Sequence, residues 1–358
     1  MSLLGEISLS RTYYYCSRCH TSQTPWDAVL GLSQRRITPG AAELIALSGT
    51  LTGFEQAAER LLERMSGLEL SESTVERVTE EAGERLGQKL AAGETFGPRK
   101  AWQWQRDAAG RRCAYLGIDH VSVPQQAAGG GRAESRMAAV GMVFNARSEY
   151  EEQPPQDPHE VRYLAGFQDL DAFGLQWRRQ AAQVGWDEAE QQLALTDGAP
   201  CLEEFIRKNA PRATPILDFY HASEHVAELV RSLYPDTFEQ QQAEWCHTLK
   251  HAGGGALLAA WQALDQTGWS AAQRECYRQQ EQYVRNNVHR MDYPTYLARG
   301  WMIGSGPVEA ACKLVVNQRL KGAGMRWRPS GSDSLCHLRA LFLSQPGQWE
   351  SFWYGTAA

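Results

Sequence analysis

Two apolar segments that each lead into an amphipathic helix constrain the fold of this 358-residue chain more than any other feature. The first segment covers residues 192–197 and ends in Asp197-Gly198, and the second covers residues 214–220. Short apolar runs bounded by turn residues predict buried strands. Because a helix separates the two strands, we expect them to be neighbours that run in the same direction. The chain therefore predicts a parallel strand pair within an α/β domain.

Three further strands are predicted before this pair. Residues 113–123 and 136–144 are apolar and β-prone, and a glycine-rich turn at residues 127–132 joins them as a hairpin. Residues 163–167 predict a third strand and residues 171–183 a helix. The order of three strands, helix, strand, helix, strand, helix is typical of a mixed sheet in an α/β domain.

After the last strand the chain carries only helical patterns. Residues 231–295 are rich in Gln, Trp and Ala and show no strand signal. They predict a helical insertion in the α/β domain. Residues 332–343 predict a final amphipathic helix.

Two aspartates lie at or near the predicted C-terminal ends of strands, where open α/β sheets usually place their chemistry. Asp119 and Asp197 are both flanked by apolar residues. A buried carboxylate is unfavourable unless a cation or hydrogen bonds compensate it. Each aspartate alone is also explained as a cap of the next turn, and Asp197-Gly198 is ordinary turn chemistry. Together the two aspartates indicate a metal site.

A third carboxylate, Glu309, follows a glycine-rich turn and Pro307, which suits the first position of a helix. Glu309, Lys313 and Asn317 are spaced to share one face of that helix. The bases that follow, with no acidic residue among them, are Lys313, Arg319, Lys321, Arg326 and Arg328. Since the whole chain has a formal charge of -6, this local reversal indicates a bound polyanion. The alternative is that Glu309 and Lys313 form an ordinary helical ion pair.

The three carboxylates together suit a two-metal site. Two hard cations about 4 Å apart, held by Asp119, Asp197 and Glu309, would align a nucleophile and a leaving oxygen on a phosphodiester. The sequence therefore predicts two Mg²⁺ or Mn²⁺ ions per site.

These motifs make the chain resemble transposases of bacterial insertion sequences with a ribonuclease H-like DDE core, specifically the ISKra-type family related to the Mutator-like group. The resemblance covers nearly the whole chain, and its last motif is the specific one. The motifs are Tyr115-Leu-Gly-Ile-Asp119, Leu195-Thr-Asp197-Gly198, Leu217-Asp218-Phe-Tyr-His221, and Ile303-Gly-Ser-Gly-Pro-Val-Glu309 with Lys321-Gly-Ala-Gly-Met-Arg-Trp327.

The resemblance implies a ribonuclease H-like mixed sheet with a helical insertion, in which Asp119, Asp197 and Glu309 are the catalytic triad and the metal ligands. It implies a DNA transposase that cleaves element ends and transfers strands. Its partners would be the terminal repeats and target DNA, and it would assemble as a homo-oligomer on DNA. The alternatives are a catalytically inactive or co-opted DNA-binding remnant and a ribonuclease H-like nuclease.

Nucleic-acid contacts are expected from five residues. The Mutator-like group carries a Cys or Asp, two residues and a His after the second catalytic Asp. Asp218 to His221 matches this pattern, so the resemblance implies that His221 orients a base or a phosphate. The sequence alone makes His221 an ordinary residue at a helix start. Backbone phosphates are expected at four bases, which are Lys313, Lys321, Arg326 and Arg328.

The N-terminal segment contains a β-prone aromatic run that leads into Cys16-Ser-Arg-Cys19-His20. A tetrahedral zinc needs four ligands, so Cys16 and Cys19 provide half of a zinc ribbon and Zn²⁺ is doubtful. Since family members usually carry a complete ribbon, the segment suggests a truncated ribbon, and a chance CxxC explains it equally. Residues 52–66 and 71–90 predict two helices around Gly67. They suit either a helix-turn-helix that binds DNA or a plain helical hairpin.

The domain organisation and location follow from these patterns. The cysteines are scattered along the sequence, which is not the pattern of a disulfide framework. The sequence shows neither an apolar run near the roughly 20 residues that span a bilayer nor a signal pattern. These features predict a soluble, cytoplasmic protein without a membrane partner. It would be nucleoid-associated when bound to DNA. The predicted divisions are a partial zinc-ribbon-like segment (1–24), a helical DNA-binding region and linker (25–112), the catalytic domain (113–345, with the insertion at about 231–295) and a tail (346–358).

Overall fold

The computed structural model of the protein describes residues 1–32, 37–127, 131, 134–146 and 160–355. The glycine-rich turn expected at residues 127–132 falls mostly outside the described residues, as do the last three residues of the predicted tail.

Within the described residues, the strands form a two-stranded hairpin and a five-stranded sheet. The strands are β1 (Tyr14–Cys16), β2 (Thr21–Gln23), β3 (Cys113–Gln125), β4 (Glu134–Phe144), β5 (Val161–Gly166), β6 (Gln191–Thr196) and β7 (Thr214–Leu217). The larger sheet has the order β5-β4-β3-β6-β7. Its β3–β4 and β4–β5 pairs are antiparallel, and its β3–β6 and β6–β7 pairs are parallel. The predicted mixed α/β sheet and its parallel strand pair are confirmed.

In the part of the chain that the structure describes, the remaining regular elements are helices. They are α1 (Pro25–Val29), α2 (Pro39–Leu51), α3 (Phe54–Gln56), α4 (Glu72–Ala91), α5 (Leu170–Gln183), α6 (Pro200–Asn209), α7 (Phe219–Leu233), α8 (Phe238–Gln262), α9 (Ala271–Asn287), α10 (Tyr293–Ala298), α11 (Gly306–Ala311), α12 (Gln318–Leu320), α13 (Pro329–Leu343) and α14 (Gln348–Tyr354). Two π-helical segments are Ala57–Ser66 and Cys312–Asn317, and short 3₁₀ turns are Trp186–Glu188, Pro235–Thr237 and Val288–Arg290. The predicted helical insertion corresponds to α8, α9 and the start of α10. Among the helices described, none is both long and apolar enough to cross a lipid bilayer.

Asp119 lies farther from the end of β3 than the predicted position at or near the strand end. β3 continues past it to Gln125 because β4 pairs along that whole length, with Asp119 opposite Val140. The parallel neighbour β6 pairs with β3 only as far as Gly117. Asp119 therefore lies within β3, just beyond the point where the parallel pairing stops. The sequence pattern of β3 alone does not show that its two neighbours differ in length.

The first helix of the predicted helix-turn-helix differs from a regular α-helix. After α3 it continues as the π-helical segment Ala57–Ser66 and ends at Gly67, which has a left-handed backbone (φ 69°). Hydrogen bonds from i to i+5 widen each turn, so residues seven apart no longer share a face. Ala58 is accordingly buried, whereas Met65 of the predicted apolar stripe is 78% exposed. The second helix, α4, begins as predicted, because the Ser71 side chain caps it by accepting from the Thr74 N–H.

Residues 91–112, predicted as a linker, contribute to the core of the protein. Phe96, Trp102 and Trp104 are buried in the same cluster as residues of the sheet. Trp102 Nε1 donates to Gln345 Oε1 at 3.0 Å, and Trp104 Nε1 donates to the Gly185 carbonyl at 3.0 Å. The lack of periodicity in this segment does not reveal its burial, which comes from its large aromatic side chains.

Helix α4 packs very closely against α13. A Cβ atom at Gly83 would lie 2.4 Å from the Ser334 carbonyl oxygen, and one at Gly87 would lie 2.6 Å from His337 Cε1. Only glycine at these two positions allows the helices to approach this closely. The helical region before residue 91 is therefore joined to the sheet through α13.

The buried His337 in this contact predicts a loss of stability at acidic pH. Burial lowers the pKa of His337 below its ordinary value of 6.5, although the charge of Asp333 opposes the effect. The unfolded chain therefore takes up the proton first, and stability that is present above pH 6.5 is lost as the pH falls. We expect His337→Gln to show a smaller drop in Tm than wild type between about pH 8 and about pH 5. Thermal unfolding at both pH values measures this, with the exposed His251→Gln as control. An equal drop in His337→Gln and wild type would contradict the assignment.

Candidate active site

The Asp119 carboxylate lies half-buried between β3 and the segment that follows α11. Its Oδ1 accepts from the His120 N–H at 2.6 Å, and the Cys312 thiol donates to its Oδ2 at 3.7 Å. Burial raises the pKa of Asp119, the His120 hydrogen bond opposes this, and the negative charge of Asp197 raises the pKa further. The two aspartates predicted from the sequence are thus close enough to interact electrostatically.

Asp197 directly follows β6 and occupies the turn into α6. Its Oδ1 accepts from the Ala199 N–H at 2.9 Å, which is the turn chemistry that the Asp-Gly pair predicts. The residue is only partly buried. Asp197 therefore both stabilises a turn and lies near Asp119, so its role in the turn is compatible with a role as a metal ligand.

Asp218 anchors the glycine-rich turn that precedes Glu309. It is 4% exposed and caps α7, one residue after β7 ends. Its Oδ1 accepts from the Ser305 N–H at 3.2 Å and its Oδ2 from the Ser305 hydroxyl at 2.6 Å. The Phe219 N–H also donates to the Ile303 carbonyl at 2.9 Å. Both carboxylate oxygens of Asp218 are therefore engaged in holding this turn.

If the protein cleaves DNA, as the resemblance implies, replacing Asp218 should affect cleavage much less than replacing Asp197. The oxygen of an asparagine at position 218 can still accept from the Ser305 and Tyr220 N–H groups, and its amide can donate to the Ser305 hydroxyl. We expect Asp218→Asn to lower the cleavage rate by about tenfold or less, the scale of one altered hydrogen bond of about 1 kcal/mol. Rates measured side by side with Asp197→Asn check this. An inactive Asp218→Asn beside an active Asp197→Asn would reverse the roles of the two residues.

Glu309 is placed by the packing of α11 across β3. A Cβ atom at Gly117 would lie 2.3 Å from Val308 Cγ2, so the glycine in β3 makes room for this helix. The Glu309 side chain is 55% exposed, and its Oε2 lies 3.8 Å from Lys313 Nζ. Burial raises the pKa of the Cys312 thiol, and the charges of Asp119 and Glu309 add to the effect. Glu309 and Asp119 therefore both lie near the Cys312 thiol, but the Glu309 carboxylate is paired with Lys313 in this structure.

The polar face predicted for this helix ends at Lys313. From Cys312 to Asn317 the chain is π-helical, and the side-chain oxygen of Asn317 is buried. The freed carbonyls are held by the buried Arg339, whose Nε donates to the Leu314 carbonyl at 3.1 Å and to the Val315 carbonyl at 2.9 Å. The predicted ladder of Glu309, Lys313 and Asn317 on one α-helical face is therefore wrong, because the π-helical winding changes the spacing.

The donor chemistry of the three carboxylates fits a hard divalent cation, since Mg²⁺ and Mn²⁺ prefer carboxylate oxygens. A cation would also relieve the repulsion between Asp119 and Asp197. Among the residues that the structure describes, no three His, Cys, Asp or Glu side chains lie close enough together to hold one ion. Glu309 would therefore have to leave Lys313 to join the two aspartates.

The predicted phosphate-binding residues divide into exposed and paired groups. Lys313, Lys321 and Arg326 are exposed. Arg328 is exposed too, but its Nη2 donates to Glu76 Oε1 at 2.6 Å and to Glu80 Oε2 at 3.4 Å. Arg319 of the same basic stretch is 2% exposed and lies between the Phe54 and Trp327 rings, at 4.6 and 5.1 Å from their centroids. Lys321 and Arg326 are therefore open to an anionic ligand, whereas Lys313 becomes open when Glu309 leaves it.

His221 and the residues beside it link α7 to the helical insertion. His221 Nδ1 lies 3.6 Å from Glu224 Oε2, and the ring makes edge contacts with His225 and Tyr283. His225 and Tyr283 were not singled out from the sequence. No local pattern could have identified them, because more than fifty residues separate the two and only the folded insertion brings them together.

The CxxC segment forms a small exposed knuckle at the hairpin of β1 and β2. Cys16 and Cys19 are both exposed, and hydrogen bonds from Thr21 and Cys16 lower the pKa of Cys19 to about 7. His20 has a left-handed backbone (φ 55°), and its Nδ1 lies 2.9 Å from the Tyr15 hydroxyl. The knuckle offers two thiols, half of the four ligands that a structural zinc needs.

In comparisons with known proteins, no protein-family model and no curated protein matches the chain.

Proposed function

We propose that the chain is a DNA transposase of the DDE type, a metal-dependent polynucleotidyl transferase with a ribonuclease H-like sheet. The observation that carries the proposal is the placement of three carboxylates on adjoining elements. Asp119 lies on the central strand β3, Asp197 follows the parallel neighbour β6, and Glu309 lies on α11, which packs across β3. The strand order supports the proposal. On one side of β3 the successive pairs β3–β4 and β4–β5 are antiparallel, and on the other side the pairs β3–β6 and β6–β7 are parallel.

In this proposal Asp119, Asp197 and Glu309 hold two Mg²⁺ or Mn²⁺ ions. Such ions supply activation of the attacking water or 3′-hydroxyl and stabilisation of the leaving oxygen. Asp218 keeps the turn before α11 in place, so that Glu309 is presented beside β3. Because the nucleophile is water or a DNA hydroxyl, no covalent bond between protein and DNA forms.

Exposed bases near α11 would hold the DNA backbone. Lys313, Lys321 and Arg326 neutralise phosphates and so fix the position of the duplex without reading its sequence. His221 would contact a base or phosphate beside Asp197. Two or more copies would assemble on paired element ends and bind target DNA.

A DNA-binding protein that no longer cleaves is the second candidate. The specific observation in its favour is that the exposed Glu309 carboxylate forms an ion pair with Lys313. A carboxylate held in this pair does not bind a metal ion. A hydrolytic nuclease would use the same three carboxylates as the transposase, so the reaction products separate these two classes.

A supercoiled plasmid carrying the DNA that flanks the reading frame, incubated with the protein and Mg²⁺ or Mn²⁺, tests the proposal. Joined products support the transposase, and nicks or linear products without joining indicate a nuclease. A mobility shift without cleavage indicates the binding protein. Asp119→Asn is the matched control, and undiminished activity of this variant would show that the reaction does not depend on Asp119.

A further inference from the structure

A tyrosine from the helical insertion lies directly on the turn that follows Asp197. A Cβ atom at Gly198 would lie 2.7 Å from the Tyr283 hydroxyl oxygen and 2.8 Å from its Cε2. Only a glycine leaves room for this ring at position 198. The insertion therefore contributes α9 as a cover over the second candidate metal ligand.

The Tyr283 ring is held in place from behind. It stacks on His225 with ring centroids 3.5 Å apart and an angle of 20° between the planes. Gln280 fixes His225, because its Oε1 lies 2.6 Å from His225 Nδ1 while its Nε2 donates to Glu228 Oε2 at 2.8 Å. This chain of contacts orients the phenol ring through groups that do not touch the three carboxylates themselves.

The Tyr283 hydroxyl is buried, and in the described structure it has no hydrogen-bond partner. Burying a hydroxyl without a partner is unfavourable. Burial raises the pKa of Tyr283, and among nearby charges Arg290 lowers it while Asp197, Asp218 and Glu224 raise it. Of these acceptors, Asp218 already uses both oxygens to hold Ser305, whereas the hydrogen bond described for Asp197 engages only its Oδ1.

We infer that Tyr283 is a positioning residue for Asp197: when a divalent cation binds, its hydroxyl donates to the Asp197 carboxylate and fixes the direction in which that carboxylate faces the ion. The inference rests on the proposed function, since it assumes that Asp197 is a metal ligand. Outer hydrogen bonds to ligating carboxylates orient them and raise metal affinity.

The test is a Mn²⁺ titration in which electron paramagnetic resonance measures the bound ion. It is combined with thermal unfolding of the metal-free protein. Tyr283→Phe keeps the ring, the stacking on His225 and the contact with Gly198. We expect it to weaken Mn²⁺ binding by about tenfold. Its Tm without metal should equal or exceed that of wild type, because the hydroxyl that it removes has no partner to lose.

Tyr293→Phe is the matched control. The buried Tyr293 hydroxyl donates to the Leu217 carbonyl at 3.1 Å, so its loss should lower Tm and leave Mn²⁺ binding unchanged. Asp197→Asn should remove most Mn²⁺ binding.

The outcomes distinguish the inference from the proposed function. If Asp197→Asn loses Mn²⁺ binding but Tyr283→Phe binds like wild type, the inference is wrong and the metal site stands. If Asp197→Asn binds like wild type, the metal site fails, and the role of Tyr283 fails with it. If Tyr283→Phe lowers Tm as Tyr293→Phe does, the hydroxyl has a structural partner, which also overturns the inference.

Discussion

Asp119→Asn, Asp197→Asn and Glu309→Gln should each reduce metal-dependent DNA cleavage by about 10²–10³-fold or more. Each change removes the charge of a proposed metal ligand and keeps the volume of the side chain. A metal ion stabilises the transition state by several kcal/mol, and each 1.36 kcal/mol corresponds to a factor of ten in rate. Cleavage of a supercoiled plasmid in Mg²⁺ and in Mn²⁺ measures the effect.

Folding and DNA binding provide the controls for these three variants. Since Glu309 is exposed and paired only with Lys313 at 3.8 Å, Glu309→Gln should leave Tm nearly unchanged. All three variants should bind DNA at least as well as wild type, because each removes a negative charge near the phosphates. Full cleavage by any one variant would exclude that residue from the triad. Unchanged activity of Glu309→Gln alone would show that its ion pair with Lys313 is its whole role.

Changing Lys313, Lys321 and Arg326 together to Gln should weaken binding to every DNA sequence. Each lost phosphate contact should flatten the slope of log affinity against log salt by about 0.9, so three contacts should remove roughly 2.7. Sequence preference should survive, since contacts to the backbone do not read bases. A salt titration of wild type and the triple variant measures both properties.

Arg328→Gln is the comparison variant for this experiment. It has the same charge change as each member of the triple, but Arg328 is paired with Glu76 and Glu80. We expect its effect on the salt slope to be well below 0.9, because its charge is already largely neutralised. An unchanged slope in the triple variant would show that this face of the protein does not line the DNA path.

Most of the fold could be predicted from the sequence. Apolar runs such as residues 192–197 are short and bounded by turn residues, so their strand character is local information. The parallel direction of β6 and β7 follows from the helix between them. Asp218 illustrates the limit of this approach. The sequence includes it in the Asp218 to His221 motif, but its bonds to Ser305 depend on a contact across 87 positions of the chain.

The candidate site was harder to predict because its geometry depends on long-range packing. Glu309 and Lys313 were expected on one face and are paired, whereas Asn317 departs from that face through the π-helical segment. Arg328 belongs to a basic stretch in the sequence, yet acids on α4 neutralise it. Tyr283 carries no motif at all. Patterns along the chain identify residue chemistry, but they do not show which charges are already satisfied.

The glycine contacts between α4 and α13 bear on the distance between a DNA sequence that α4 would bind and the position of the cut. Because a Cβ atom at Gly83 would lie only 2.4 Å from the Ser334 carbonyl oxygen, α4 packs directly on the backbone of α13, and this contact restricts movement of α4 relative to α13. Any base pairs read by the exposed side of α4 would therefore lie at a constant distance from the phosphodiester at Asp119. Because B-DNA advances about 3.4 Å per base pair, such a distance would set the number of base pairs between the recognised sequence and the cut. If α4 reads base pairs and Asp119 belongs to the site of cleavage, one base pair inserted between the recognised sequence and the element end should shift the cut by one base pair.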